Sequence, residues 1–369
     1  MRYHPDNIKM HFIVCTGRTG STLLASMLNM HPMVVSISEE TFAYSLFLKY
    51  KNVQIWNSDT IRQFCYDFFL FSDGKLEPQF GTRKDLEDIL EEHKSILNAE
   101  KAIKLAHLCF FPKKDKDRVT TLVDKQLIFH SILEEVAAMY PECKFILLTR
   151  DPRDNALVKR RRAERENRKA FYPYFAFTWN YVYSTLYRKK MKIGPDRFLD
   201  VKYEDLASYP VETLQKICTF LDFPYDDVML KYDEHLKKEI KANENVYSDV
   251  LKKNINILHQ GLTEKVNTKK VGFWKENLTK EQAGLVWDIT SETAEKFGYK
   301  KEDCEPGRKV DFEYFKSWFK FFYGYILIPS TYFKLPFFVR VWIKKLLYSK
   351  NFRSGKFSDK EFYRTRMSS

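Results

Sequence analysis

Short apolar runs and helix-forming stretches alternate through the first half of the chain. The run Phe12-Ile13-Val14-Cys15 is continuous and rich in strand formers, which predicts a buried strand ending at Thr16. After a loop with two glycines, the stretch from Ser21 to Met30 has helix-forming composition and stops before His31-Pro32. These segments predict a strand, a glycine-containing loop and a helix.

The same order of elements recurs further along the chain. Strand-like runs are predicted at residues 119–123, 144–149 and 198–203, and helices at 129–139 and 210–221. A charged helical stretch at 61–99 is predicted as an insertion over the sheet edge. Strands separated by helices predict an α/β fold class, a P-loop-like parallel β-sheet flanked by helices. Ligands of such sheets bind at the carboxyl ends of the strands, so candidate residues are sought there.

Composition favours a folded chain with anionic partners. Lys and Arg number 62 against 49 Asp and Glu, a formal net charge of +13, while 44% hydrophobic and 16% aromatic residues exclude intrinsic disorder. The six cysteines form no C-x-x-C pair and no secretory leader is recognised, so reduced thiols and a cytoplasmic location are expected. The eight histidines form no motif of zinc spacing, and no metal is expected.

The loop between the first strand and helix has the composition of a phosphate-binding turn. Its glycines let the backbone approach an anion, and the first N–H groups of the helix point at that anion. A Walker A loop would place Lys where this chain has Ser21, so an ATP–Mg²⁺ site is disfavoured, and an ordinary tight turn with a capping serine remains an alternative. The residues predicted to hold phosphate groups are Arg18, Thr19, Gly20, Ser21 and Thr22.

A second cationic strand end is predicted at Arg150. This residue follows the strand-like run at 144–149, which places it at the same sheet edge as the loop. Two separated cationic sites suit a ligand with two phosphate groups. The alternative is a solvated arginine paired with Asp151 or Asp154.

These motifs resemble the sulfotransferase family, whose members transfer a sulfuryl group from 3′-phosphoadenosine 5′-phosphosulfate (PAPS). Residues 17–24 resemble the loop that grips the 5′-phosphosulfate, in its arginine-containing version, and residues 145–154 resemble the segment whose arginine binds the 3′-phosphate. Residues 201–206 resemble the Y-E-D-L stretch of the family, and residues 270–275 its late segment that closes over the cofactor. The motifs occur in family order from about residue 12 to residue 299.

The resemblance implies in-line displacement at sulfur, with PAPS as co-substrate and no metal. Positioning and charge neutralisation would then supply most of the catalysis. Arg18 would bind the bridging oxygen of the phosphosulfate, and Lys125 would approach the sulfuryl group from another strand end. The implied cofactor-binding set is completed by Arg150, Tyr203, Lys270 and Gly272.

Two positions depart from the family pattern. Many members carry a serine eight positions after the 3′-phosphate arginine, whereas this chain has Val158, and Lys159 or Lys270 is expected to supply the contact. Leu127 stands where proline is usual in the motif around Lys125, which leaves the local turn open.

An acceptor hydroxyl also needs a base. The Glu-Glu-Thr sequence at residues 39–41 follows a strand after His31-Pro32 and resembles a motif of the tyrosylprotein branch, in which the second glutamate lies at the acceptor. The resemblance therefore assigns the base to Glu40. The alternatives are an exposed acidic helix start, or a base at His107 or His130.

From about residue 310 the chain becomes aromatic and basic. The uncharged stretch at 321–333 is too short for a spanning helix, which needs roughly 17–25 residues. Residues 312–350 are expected to form either a membrane or lipid-acceptor platform or helices packed against the catalytic domain. The predicted division is a catalytic domain at 1–305 and a mostly helical, basic and aromatic C-terminal extension at 306–369.

The densest cationic run lies at residues 159–168. It is expected either to steer PAPS or an acidic acceptor or to form a solvated helix face, and no nucleic-acid partner is expected because no binding module surrounds it. The sequence thus predicts a PAPS-dependent sulfotransferase acting on a small-molecule, lipid or glycan hydroxyl, either free in the cytoplasm or peripheral at a membrane. The alternatives are a P-loop-type nucleotide or sugar kinase, or a non-catalytic membrane-surface protein with the same fold.

Overall fold

The computed structural model describes residues 4–38, 42–71, 82–109, 114–127, 129–242, 262–302, 304–307 and 312–327, together with 335, 336, 338, 339, 342 and 343. Within these ranges five strands form one sheet. The strands are β1 (Lys9–Val14), β2 (Val34–Ser38), β3 (Thr121–Gln126), β4 (Phe145–Thr149) and β5 (Phe198–Lys202). Their order is β2-β3-β1-β4-β5, and every neighbouring pair is parallel. This confirms the predicted α/β class.

Helices cover both faces of the sheet. The helices are α1 (Ser21–Met30), α2 (Phe42–Tyr50), α3 (Ser58–Phe71), α4 (Arg83–Glu92), α5 (Ala99–Leu108), α6 (Phe129–Met139), α7 (Pro152–Arg165), α8 (Tyr172–Ile193), α9 (Tyr203–Ser208), α10 (Pro210–Phe220), α11 (Tyr232–Ala242), α12 (Trp274–Asn277), α13 (Lys280–Lys296) and α14 (Phe312–Phe321). A π-helical segment, Phe322–Leu327, continues α14.

The central strand β1 separates two buried apolar clusters. Phe12 and Val14 belong to the larger cluster, while Ile13 between them belongs to a second cluster with Leu24 and Leu28 of α1. Because successive strand side chains point to opposite faces, this alternation shows that β1 is covered on both sides. A continuous apolar run is therefore the pattern that such a strand requires.

The sequence patterns locate most elements to within about three residues, and β1 begins at Lys9, three residues before the predicted run at 12–15. Helices α1 and α6 begin and end at the predicted residues. The predicted strand at 119–123 instead spans Thr121–Gln126, because the polar side chains at its end are buried rather than exposed. The charged stretch at 61–99 divides into α3, α4 and the start of α5, and Phe64 and Phe68 of α3 share a buried cluster with Ile37 of the edge strand β2.

Helix α14 packs against the long helix α8. The Phe321 ring lies 5.8 Å from that of Phe177 and 5.6 Å from that of Tyr181, between ring centroids. One side of α14 thus packs against α8, as the second predicted alternative requires, while its other side stays exposed. The division at residue 305 stays a prediction. Among the described helices, none is long and apolar enough to cross a membrane.

Candidate active site

The loop between β1 and α1 has its carbonyl groups held by side chains. Thr19 Oγ1 donates to Thr16 O at 3.0 Å, Asn155 Nδ2 to Gly17 O at 2.9 Å, and Arg150 Nη1 to Arg18 O at 3.3 Å. In a planar trans peptide the next N–H points away from the carbonyl, so the amide hydrogens of residues 17–19 face the other way. The N–H groups of residues 17–19 thus point away from the side chains that hold the carbonyls, an arrangement that suits an anion-binding turn.

The end of this loop is shaped by a close contact with Tyr203, the first residue of α9. Gly20 has φ 82°, in the left-handed region, and a Cβ atom there would lie 2.5 Å from the ring of Tyr203. That ring also contacts Arg150, whose Cζ lies 4.3 Å from the ring centroid. Three predicted binding residues, Gly20, Tyr203 and Arg150, thus lie in contact through the Tyr203 ring. Arg18 also has a positive φ, 68°, a strain that recurs at ligand-binding turns.

Arg150 joins the loop to the segment around Lys270. Its side chain is 3% exposed, and Nη2 donates to Lys270 O at 2.6 Å while Nη1 binds Arg18 O. Its backbone carbonyl is fixed by Trp179 Nε1 at 3.0 Å. Among the described residues, the buried Arg150 Nε has no hydrogen-bond partner. Nη2 also lies 3.9 Å from Asp154 Oδ2, so the predicted alternative of an ion pair with Asp154 is present, although both side chains are buried rather than solvated. A buried charged N–H without an acceptor is costly, and an anion at Nε would remove that cost.

Asp154 fastens the segment that contains Gly272. Its two carboxylate oxygens accept from Gly272 N at 2.9 Å and from Trp274 N at 2.8 Å, and the residue is fully buried in α7. Burial raises the pKa of Asp154 to about 7, against the opposing effect of Arg150. Gly272 has φ 65°, which favours glycine. Burial together with Arg150 and Arg18 lowers the pKa of Lys270.

Lys159 lies beneath the loop. Its Nζ donates to Thr16 Oγ1 at 2.8 Å, one turn of α7 beyond Asn155, which holds Gly17. Burial, with a contribution from Arg18, lowers the pKa of the Lys159 ammonium to about 7. Of the two lysines expected to compensate for Val158, Lys159 is therefore the one whose ammonium contacts the loop.

Glu204, of the Y-E-D-L stretch, ties the first turn of α9 to the start of α7. Its Oε1 accepts from Asp151 N at 2.9 Å and its Oε2 from Tyr299 OH at 3.1 Å, while Thr149 Oγ1 lies 3.1 Å from the same tyrosine hydroxyl. Burial raises the pKa of Glu204. This network fixes the backbone directly after Arg150.

One of the predicted transfer residues, Lys125, lies on β3, the strand next to β1. Lys125 is buried near the end of β3, where it pairs in register with Ile13 of β1 and Ser38 of β2. It thus lies at the carboxyl edge of the sheet, two strands from Arg150. Glu40, the predicted base, lies outside the described residues.

The two alternative histidines have structural contacts. His107 is fully buried, with Nδ1 2.8 Å from Ile103 O and Nε2 3.5 Å from Asp124 Oδ2. His130 Nδ1 lies 3.0 Å from Leu127 O, and burial lowers the pKa of His130 to about 4. Among the described residues, no group of three or more His, Cys, Asp or Glu could hold a metal ion.

Comparison with known proteins decides the family. A family model described as "Sulfotransferase family" matches residues 11–227, a span that contains the loop, Lys125, Arg150 and Tyr203. The chain belongs to the Sulfotransferase family. This confirms the resemblance found in the sequence.

The relatives of this sulfotransferase are distant. The chain is 23% identical over 241 residues to a protein-tyrosine sulfotransferase of Drosophila melanogaster, covering 64% of this chain and 43% of the relative. It is 26% identical over 238 residues to protein-tyrosine sulfotransferase 1 of Danio rerio, covering 64% and 59%. The chain thus spans about half the length of these two curated relatives. A solved sulfotransferase domain of the Synechococcus PCC 7002 olefin synthase shares the fold, with TM-score 0.50, 20% identity, and coverage of 80% and 97%.

Three site residues were missed by sequence reasoning. Asn155 and Asp154 hold the loop and the segment around Gly272, and Glu204 holds the backbone after Arg150. Asp154 and Glu204 stand inside the quoted motifs, which was the available signal. Nothing in the sequence marks Asn155, because its partner Gly17 is 138 positions away.

Proposed function

We propose that this protein transfers a sulfuryl group from PAPS to an acceptor hydroxyl. The observation that carries the proposal is Arg150, a buried guanidinium with one unpaired N–H at the same sheet edge as the N–H-rich loop. A nucleotide with phosphate groups at both its 3′ and 5′ positions fits two such separated sites.

Each part of the nucleotide has a candidate site in this arrangement. The loop N–H groups, with Ser21 and Thr22 at the first turn of α1, would hold the 5′-phosphate. Arg150, packed on Tyr203, would bind the 3′-phosphate. The segment from Lys270 to Gly272, which is hydrogen-bonded to Arg150 and to Asp154 of α7, would close over the nucleotide.

The transfer itself would be an in-line displacement at sulfur. The acceptor oxygen forms a bond to sulfur while the bond from sulfur to the bridging oxygen breaks, and 3′,5′-ADP leaves. Arg18 would neutralise charge on the bridging oxygen, and Lys125 charge on the sulfuryl oxygens. Glu40 would accept the proton of the acceptor hydroxyl. We propose that no metal takes part, since cationic side chains fill that role.

The acceptor is proposed by chemical class. A hydroxyl of a small molecule, a lipid or a glycan fits the chemistry, and the names of the two relatives add tyrosine to the acceptors worth testing. All six cysteines are free thiols and five are buried, which supports a reducing compartment such as the cytoplasm. A kinase remains the rival, and Mg²⁺-dependent binding of ATP would favour it.

Thermal unfolding with added 3′,5′-ADP tests the proposal. The wild-type protein should be stabilised, and Arg150→Ala should weaken binding by roughly 10- to 150-fold, the value of about 1.5–3 kcal/mol for a charge-assisted hydrogen bond. Arg197→Ala is the control. Arg197 lies just before β5, at the sheet edge opposite Arg150, and donates to Cys143 O and Tyr140 O. Equal affinity in wild type and Arg150→Ala would refute the assignment.

A further inference from the structure

The outward side of α14 and of the π-helical segment carries large exposed aromatic side chains. Six of them are between 37% and 79% exposed. These form the aromatic face, which consists of Phe312, Phe315, Trp318, Phe319, Phe322 and Tyr323. Single exposed apolar residues are ordinary on a protein surface, but six within one short segment make a patch of the kind that marks a binding surface.

The other side of α14 already serves the fold. Ser317 and Phe321 are buried, and the Tyr314 ring lies 5.1 Å from Phe177 of α8. At 100° per residue these positions lie opposite the part of the aromatic face that α14 carries, except that Trp318 lies at the border between the two sides. Packing against α8 therefore holds the aromatic face outward, so folding of the described chain does not account for it.

Cationic side chains border the aromatic face. Lys316 and Lys320 are exposed, and Lys320 Nζ lies 3.4 Å from Lys169 O. That contact joins α14 to the cationic run at residues 159–169, which has seven Lys and Arg and only two Glu. The single acidic residue of α14 is Glu313. Aromatic rings and a basic rim thus occupy one continuous surface.

From this juxtaposition we infer that the aromatic face is a monotopic docking surface for an anionic lipid bilayer. Aromatic rings prefer the interface between lipid headgroups and acyl chains, and lysines beside them attract anionic headgroups. A second copy of this chain is a poorer occupant, because the basic rims of two copies would repel each other. The bilayer complements both the rings and the charge.

Docking in this way would set the orientation of the candidate active site. Helix α7 carries Asn155 and Lys159 beneath the loop, and its cationic run leads to Lys169, which contacts α14. The aromatic face and the site are therefore joined through one rigid helix and the turn that follows it. A bilayer-bound enzyme would meet acceptors that reside at the lipid surface.

Vesicle flotation of the full chain tests the inference. Wild type should bind phosphatidylcholine vesicles containing about 30 mol% phosphatidylserine, and bind pure phosphatidylcholine far more weakly. The variant Phe315→Ser/Trp318→Ser/Phe319→Ser should lose at least about tenfold in partitioning. The control is Ile55→Ser/Met191→Ser/Tyr209→Ser, which removes three exposed apolar side chains elsewhere and should bind like wild type.

A charge variant separates the contribution of the bordering lysines from that of the aromatic face. Lys316→Gln/Lys320→Gln should reduce binding to the anionic vesicles by roughly fivefold per lysine and flatten its salt dependence. An unchanged thermal unfolding midpoint without ligand in every variant would show that the fold is intact, so the vesicle test does not depend on nucleotide binding. The proposed sulfuryl transfer could fail while vesicle binding holds.

Three results would overturn the inference. Wild type could ignore both kinds of vesicle, or the aromatic variant could bind anionic vesicles as tightly as wild type. Light scattering could instead reveal a dimer that the aromatic variant abolishes, and the face would then be an interface between two copies.

Discussion

Replacing Asp154 by asparagine tests how the segment around Gly272 is held. Each carboxylate oxygen accepts one backbone N–H, from Gly272 and from Trp274. In Asp154→Asn the amide NH₂ must face one of these N–H donors, so one hydrogen bond is lost and two donors oppose each other. Loss of a buried hydrogen bond to a charged group costs roughly 1.5–3 kcal/mol.

That loss should appear in nucleotide affinity, because Arg150 donates to Lys270 O in the same segment. If closure of the segment is part of binding, the affinity for 3′,5′-ADP should fall by up to roughly 10- to 150-fold. Titration calorimetry measures the affinity, and hydrogen exchange at residues 268–277 should rise in the variant. Asp233→Asn is the control, since Asp233 is equally buried but pairs with Lys237 of α11.

The same variant should change how stability depends on pH. Burial raises the pKa of Asp154 from 3.8 to about 7, so between these values the folded chain keeps a proton that the unfolded chain releases. The free energy of unfolding must then fall as pH rises from about 4 to 7, by at most roughly 4 kcal/mol for this group. Asp154→Asn should lack this decline. The role given to Asp154 would be refuted if Asp154→Asn kept the wild-type affinity for 3′,5′-ADP, the wild-type hydrogen exchange at residues 268–277 and the wild-type dependence of stability on pH.

Two further changes address transfer and proton balance. Burial lowers the pKa of the Lys159 ammonium to about 7, so this lysine is mostly neutral at pH 8, and binding of a phosphate group nearby should draw in a proton. Calorimetric titration with 3′,5′-ADP in buffers of different ionisation enthalpy should detect this proton uptake in wild type and not in Lys159→Met. Equal proton uptake in both proteins would contradict the prediction. Glu40→Gln should slow sulfuryl transfer by about 10²–10⁴ while 3′,5′-ADP binding survives. Glu39→Gln is the matched control, and a larger loss of transfer rate in that variant would assign the base to Glu39 instead.

The elements that sequence reasoning predicted well are those whose pattern is local. β1 is a continuous apolar run because it is covered on both faces, and α1 ends before His31-Pro32. The loop and Arg150 were found because strand ends in a parallel sheet meet at one edge. For these residues, neighbours in sequence carry most of the information.

The misplaced end of β3 shows where that information stops. The predicted strand stops at Val123, before a run of polar residues, yet Asp124 is fully buried and accepts from Gln126 Nε2 at 2.8 Å. Its other oxygen lies 3.5 Å from His107 Nε2, on a helix that precedes the strand. Burial of these polar groups depends on a partner in another segment, which a hydropathy pattern cannot supply.

The candidate site depends on such distant partners, and most of them converge on one helix start. The first turns of α7 bind three separate segments: Asn155 and Lys159 the loop, Asp151 the Y-E-D-L stretch, and Asp154 the segment at 272–274. These segments come from opposite ends of the catalytic region, so no local pattern links them. Because they share one helix, a shift of α7 would displace both proposed phosphate-binding regions together. We therefore expect variants at Asn155 and Asp154 to be non-additive in 3′,5′-ADP affinity, since each weakens the same assembled site.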